Sequence, residues 1–118
     1  MPDLAIGDKS SFGVVIFSSE GDNMVSHWED YIFINRRKDG RFSVKAYKWG
    51  ENFRSPSSYV WIPIDSVIGV SSAKDLLTAV SRMESTLAVS VDWPDVIDVI
   101  RGMDAKMADS LDQATDSD

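Results

Sequence analysis

The sequence contains no cysteine and a single histidine, His27. Without cysteine the chain has neither a disulfide framework nor thiolate chemistry. Zinc centres draw on cysteine and histidine ligands, so one histidine leaves only carboxylate-based metal binding, and the segment from Glu20 to Asn23 lacks the ligand spacing of a calcium loop. We therefore expect no metal, no cofactor and no catalytic residue, and we predict that the protein is not an enzyme.

Long apolar segments are missing as well. No apolar run approaches the roughly 18 residues of a membrane-spanning helix, and the start of the chain, with Asp3, does not resemble a signal peptide. The sequence also has no glycine-rich phosphate loop ahead of a helix. These features predict a cytoplasmic protein that has no membrane partner.

The length of 118 residues and the hydrophobic content of 43% suit one domain with one core. Residues 1–11 predict a loose lead-in, and the acidic residues 109–118 predict a frayed tail. The net charge is −7, but residues 36–54 hold seven basic and two acidic side chains, whereas residues 55–118 hold four basic and eleven acidic ones. This separation gives the protein two electrostatic faces.

The hydrophobic period changes from strand-like to helix-like between the two halves of the chain. Strands are predicted at Phe12–Phe17, Trp28–Arg36, Arg41–Trp49 and Tyr59–Ile64, with Ser18–Asn23 as a turn and residues 55–58 as a loop. Helices are predicted over Ser72–Glu84 and from Asp92 onward, with Leu87–Val91 as a candidate fifth strand. The predicted fold class is α+β: an antiparallel sheet of four to five strands in the N-terminal half, with two C-terminal helices packed on one face.

The segment Lys38-Asp39-Gly40 lies between two predicted strands and suits a three-residue hairpin loop, with glycine in the left-handed region. This loop sets Ile34 opposite Val44, so that one face of the hairpin is aliphatic and the other carries rings and cations. A two-residue Asp-Gly loop would shift the register by one residue and mix the two faces. We favour the longer loop because it separates the side chains by type.

The aromatic and basic face of this hairpin is a candidate partner surface, since two helices can cover only one side of the sheet. Tyrosine, tryptophan and arginine are enriched in binding hot spots. The candidate partner-binding residues on this face are Tyr31, Phe33, Arg37, Arg41, Lys45, Tyr47, Trp49 and Trp61. The alternative is that sheet curvature, the N-terminal segment or a dimer partner covers the rings.

Aspartates of the last predicted helix form a second candidate surface, with Asp95 and Asp98 near its start. The simple interpretation is a solvated acidic face. The functional interpretation is that these carboxylates imitate phosphates or meet a basic groove on a partner.

Small size, acidity and the lack of catalytic groups favour a protein-binding inhibitor, an immunity protein that neutralises a bacterial toxin such as a nuclease. The partner would be another protein, a toxin or effector. A phage-encoded inhibitor of a host defence complex is a related hypothesis. The alternative is a nucleic-acid-binding module that uses the basic aromatic hairpin 31–49, although a net charge of −7 repels a polyanion. The sequence does not specify an oligomeric state.

Overall fold

The computed structural model describes residues 12–22, 26–52 and 55–116. Four strands form one antiparallel sheet in chain order: β1 (Val14–Asp22), β2 (Ser26–Arg36), β3 (Phe42–Asn52) and β4 (Ser55–Val70). Three helices follow: α1 (Ala73–Leu87), α2 (Trp93–Arg101) and α3 (Ala105–Asp116). The α+β class is therefore confirmed, with four strands among the described residues and three helices where two were predicted.

The hairpin between β2 and β3 has the predicted three-residue loop. The amide of Arg37 donates to the carbonyl of Arg41 at 2.7 Å, and Gly40 has a φ of +84°, which glycine adopts without steric cost. Ile34 lies opposite Val44 in the sheet. The register prediction is confirmed, and the two-residue alternative is wrong.

The aliphatic side chains of this hairpin lie in the same buried cluster as the inward residues of the helices. The strands contribute Ile32, Ile34, Phe42, Val44, Ala46 and Val70, and the helices contribute Leu76, Ala79, Val80, Met83, Val96, Ile97, Ile100, Ala108 and Leu111. Helix α1 contacts β3 and β4, whereas α2 contacts β1. Helix α2 is therefore held beside one edge of the sheet.

Both predicted helix starts are confirmed by their capping hydrogen bonds. The hydroxyl of Ser72 accepts from the amide of Asp75 at 3.1 Å, and the carboxylate of Asp92 accepts from the amide of Asp95 at 3.3 Å. These bonds satisfy amides that have no partner inside the helix. Pro94 lies in the first turn of α2, where its missing N–H costs nothing.

The helix predicted from Asp92 onward is divided in two. Helix α2 ends before Gly102, and Asp104 begins α3 by accepting from the amide of Met107 at 3.1 Å. Residues 109–116, for which the sequence predicts a frayed tail, belong to α3, because Leu111 is buried in the core. Burial of that side chain offsets the weak helix propensity of the aspartates around it.

Three other boundary predictions are wrong. Ser18–Asp22 belongs to β1 and is not a turn. Strand β4 begins at Ser55, so residues 55–58 are not a loop and the strand is far longer than Tyr59–Ile64. The segment 87–91 is not a strand, since Leu87 ends α1. The carboxylate of Glu84 accepts a hydrogen bond from the amide of Val91 at 2.8 Å. This bond satisfies the amide of Val91 without pairing to a neighbouring strand.

Irregular pairing along β4 places its side chains differently from a regular strand. The register with β3 shifts between Ala46 and Tyr47 and again near Gly69, whose φ is +85°. A regular strand that continued the pattern of the hairpin would place Ile62 and Ile64 on the aliphatic face, but they are 43% and 41% exposed and lie outside the core. Val70 takes a core position instead.

Candidate functional site

The second face of the sheet carries an aromatic cluster of five rings: Phe12, Tyr31, Phe33, Tyr47 and Trp61. Tyr31 lies opposite Tyr47 in the β2–β3 pairing. The ring centroids of Phe12 and Tyr47 are 4.4 Å apart, and those of Tyr31 and Trp61 are 5.3 Å apart. Separations of this size are typical of interacting aromatic pairs.

The centre of the aromatic cluster is buried, which corrects the prediction for two of its members. Phe33 has no exposed surface and Tyr31 is 4% exposed, so neither can offer a ring face to a partner. Phe12 lies over the cluster, with its centroid 5.4 Å from that of Phe33. The alternative in which the N-terminal segment covers the rings therefore holds for Phe12. Residues 1–11 lie outside the described part of the chain.

Gly13 makes this cover possible. Its φ is +124°, and a Cβ at this position would lie 2.5 Å from the carbonyl oxygen of Ile34. Only a residue without a side chain can run this close to the neighbouring strand in that conformation. No sequence pattern indicated that Phe12 would fold back in this way.

Tyr47, Trp49 and Trp61 remain half-buried, so part of each ring is accessible. Trp49 lies opposite Trp61 in the β3–β4 pairing and is edge-on to His27, with the ring centroids 6.1 Å apart. These three predicted residues are close together, but they border a filled core and not an open aromatic platform.

The two predicted arginines are separated from the accessible rings. Arg37 and Arg41 are exposed at the tip of the hairpin, four residues beyond Phe33 along β2, which is about 13 Å at the rise of a strand. Arg37 also faces the carboxylate of Asp39 at 3.7 Å. Lys45 lies opposite Phe33 and is half-buried, as expected for a lysine stem that covers an apolar ring.

The acidic surface lies on the helices, and we define it as Asp92, Asp95 and Asp98 of the α2 segment. Residues 92–116 contain seven acidic and two basic side chains. All three aspartates are exposed, and within the described ranges none of them forms a salt bridge. Asp92 caps α2 through one carboxylate oxygen, and the carboxylates of Asp95 and Asp98 are available to a cationic partner.

Other aspartates of the same helices are already occupied. Asp104 faces Arg36 at 3.6 Å, and Asp109 accepts a hydrogen bond from Arg101 at 2.7 Å. That hydrogen bond is the main reason that the pKa of Arg101 is raised, with further contributions from the charges of Asp112 and Asp98. The negative potential of the helices is thus only partly neutralised.

A groove runs between the acidic surface and the outer strand of the sheet. It is lined by residues 15–18 of β1 and by Asp95, Asp98 and Val99 of α2. Among the described residues, strand β1 is an edge of the sheet and is bonded to β2 alone. An edge strand can accept an extended segment of another chain through its free backbone groups. The sequence predicted Asp95 and Asp98 as contact residues, but it could not place them beside β1.

Comparison with models of protein families found no match, and neither did searches of curated proteins and of solved structures. None of the helices in the described ranges has the length and apolarity that a membrane crossing requires.

Proposed function

We propose that this protein is a small acidic inhibitor of the immunity-protein type, which neutralises a bacterial toxin by binding it directly. The observation that carries the proposal is the acidic surface: three exposed carboxylates that form no salt bridge with any described residue, two of which line a groove beside an edge strand of the sheet. The proposed partner is a basic protein, for which a nuclease is the simplest example, and the proposed site of action is the cytoplasm.

Electrostatics supports this choice of partner. A nuclease carries a basic groove that binds a polyanion, and an acidic protein can be steered onto such a groove and block it. Asp95 and Asp98 line the groove beside β1, so a partner segment added to this edge would bring its lysine or arginine side chains close to them. Backbone pairing would supply affinity, and the aspartates would supply specificity and speed of association.

The nucleic-acid alternative loses support from the burial of the aromatic cluster. Stacking of bases needs exposed ring faces, and Phe33 and Tyr31 are buried. Lys48 and Arg82 face Asp30 and Asp65 respectively, which reduces the positive potential available to phosphates. The basic aromatic hairpin is therefore the weaker candidate surface.

Co-expression tests the proposed function. The gene adjacent to this one in its genome would be expressed with and without this protein, and cell survival and the activity of the purified neighbour would be measured. We expect the neighbour to be toxic alone and harmless in an equimolar complex. A neighbour that is not toxic, or whose activity is unchanged by the complex, would contradict the proposal.

The double substitution Asp95→Asn and Asp98→Asn tests the docking surface. We expect the association rate with the basic partner to fall about tenfold at low salt, because steering depends on these charges. The difference should shrink as salt rises, since screening weakens the attraction in both proteins. Stopped-flow or surface-plasmon measurements at several salt concentrations would give the rates.

Asp75→Asn is the matched control, since Asp75 is also an exposed aspartate in the first turn of a helix. It removes a charge from α1, outside the acidic surface, so the association rate should change less than twofold. Asp75→Asn removes one charge and the double substitution removes two, so a control effect half as large on a logarithmic scale would show that total charge matters and the acidic surface does not.

A further inference from the structure

Three side chains with metal-binding atoms meet where β1 and β2 pair. Glu20 lies directly opposite Glu29 in the register, and His27 is two residues from Glu29 on the same strand. The Nε2 atom of His27 is 3.2 Å from one carboxylate oxygen of Glu29 and 3.9 Å from one of Glu20. One nitrogen and two carboxylate oxygens thus lie within 4.8 Å of one another.

This arrangement is costly without a cation. Like charges directly opposite each other on neighbouring strands destabilise a sheet, and Glu20 and Glu29 form such a pair. The imidazole lies against both carboxylates through the same nitrogen, Nε2, and one ring nitrogen has only one site for a proton or a metal. A divalent ion in this position would interact with all three groups at once.

Two neighbouring rings orient Glu29 and His27, which are the less exposed side chains of the three. The hydroxyl of Tyr31 donates to the second oxygen of Glu29, Oε1, while Oε2 faces His27. The Tyr31 phenol is buried in the aromatic cluster, so it fixes the direction of that carboxylate. Trp49 flanks the imidazole edge-on. Partners of this kind orient the ligands in protein metal sites.

We propose that Glu20, His27 and Glu29 bind a divalent transition metal, for which zinc is the representative ion. Zinc lies about 2.0–2.2 Å from nitrogen and oxygen ligands, which separates tetrahedral ligands by roughly 3.4 Å. The 3.2 Å distance between His27 and Glu29 is close to this value. The side chain of Glu20 is 73% exposed, so it is free to move the short distance that closes the site.

The ligand set favours a transition metal over calcium or magnesium, because those ions select oxygen ligands and imidazole suits zinc, copper and nickel. The two carboxylates balance the charge of the ion. Three protein ligands leave a fourth position to solvent.

Zinc titration of the intact protein tests the site. His27 is the only histidine, so its ¹⁵N imidazole resonances are assigned without ambiguity, and we expect one equivalent of zinc to shift the Nε2 signal most. Isothermal titration should show at least tenfold weaker binding for Glu20→Gln and His27→Gln. Tyr31→Phe keeps all three ligands and should weaken binding about tenfold, which is typical when a hydrogen bond to a ligand is lost.

The control is Asp112→Asn, which removes one negative charge from α3 and should change zinc affinity less than twofold. The proposal is overturned if the His27 signals do not respond to one equivalent of zinc. It is also overturned if Glu20→Gln binds zinc as tightly as the wild type does. Glu20 is exposed, so circular dichroism should show that this variant folds, and the wild-type titration does not depend on any variant.

Discussion

Replacing Phe33 with alanine is expected to lower the free energy of unfolding by about 3–5 kcal/mol, the range for a large buried aromatic side chain. Phe33 has no exposed surface. Its ring centroid is 5.4–6.2 Å from the ring centroids of four neighbours: Phe12, Tyr31, Tyr47 and Trp61. Alanine would leave a cavity in the middle of the aromatic cluster. Urea denaturation followed by tryptophan fluorescence would measure the change.

Trp49→Ala is the comparison variant. Trp49 lies on the same face of the sheet as Phe33, but it is only half-buried. Its removal exposes less apolar surface and leaves no enclosed cavity, so we expect a loss of about 1 kcal/mol. If Phe33→Ala were no more destabilising than Trp49→Ala, the second face of the sheet would be a surface and not a second core.

Replacing Gly13 with alanine is expected to cost about 2–5 kcal/mol, combining backbone strain with overlap between atoms. The Cβ would lie 2.5 Å from the carbonyl oxygen of Ile34 and 2.9 Å from its carbonyl carbon. Both atoms are main-chain atoms of β2 and cannot move without breaking the pairing of β1. Thermal and urea unfolding would report the loss, and Phe12 should no longer cover the aromatic cluster.

Substitutions at two other glycines separate the cost of backbone strain from the cost of atomic overlap in Gly13→Ala. Gly69 has a φ of +85° with nothing near the position of a Cβ, so Gly69→Ala should cost only the strain, about 1 kcal/mol. Gly102 has an ordinary helical φ of −68°, so Gly102→Ala should be neutral or stabilise the protein by up to about 1 kcal/mol. A Gly13→Ala variant no worse than Gly69→Ala would contradict the close approach at Ile34.

The hairpin register was predictable because one local feature, the length of the loop after Arg37, determines every residue pair between β2 and β3. The alternation of aliphatic with aromatic and cationic residues in both strands excluded a register shifted by one residue, which would mix the two types on each face. The pairing of Ile34 with Val44 confirms it. Helix starts were equally local, since Ser72 and Asp92 cap the residues that follow them.

The features that could not be predicted depend on contacts between distant parts of the chain. The register of β4 shifts near Tyr47, and Ile62 and Ile64, which lie beside the shift, are exposed; alternation alone gives no sign of the shift. The cover that Phe12 provides depends on its contact with Phe33, 21 residues further along the chain. For the candidate site, Asp95 and Asp98 were predicted from charge, but their place beside β1 follows from how α2 packs.

The chain-order arrangement of the strands has a consequence for how the protein reaches this fold. Each strand pairs with the next one along the chain, and only three residues separate Arg37 from Arg41 at the β2–β3 turn. Short connections cost little entropy to close, and closing long ones is what slows many sheet proteins. The polypeptide can therefore assemble its sheet one hairpin after another as the chain emerges, before the helices arrive to complete the core.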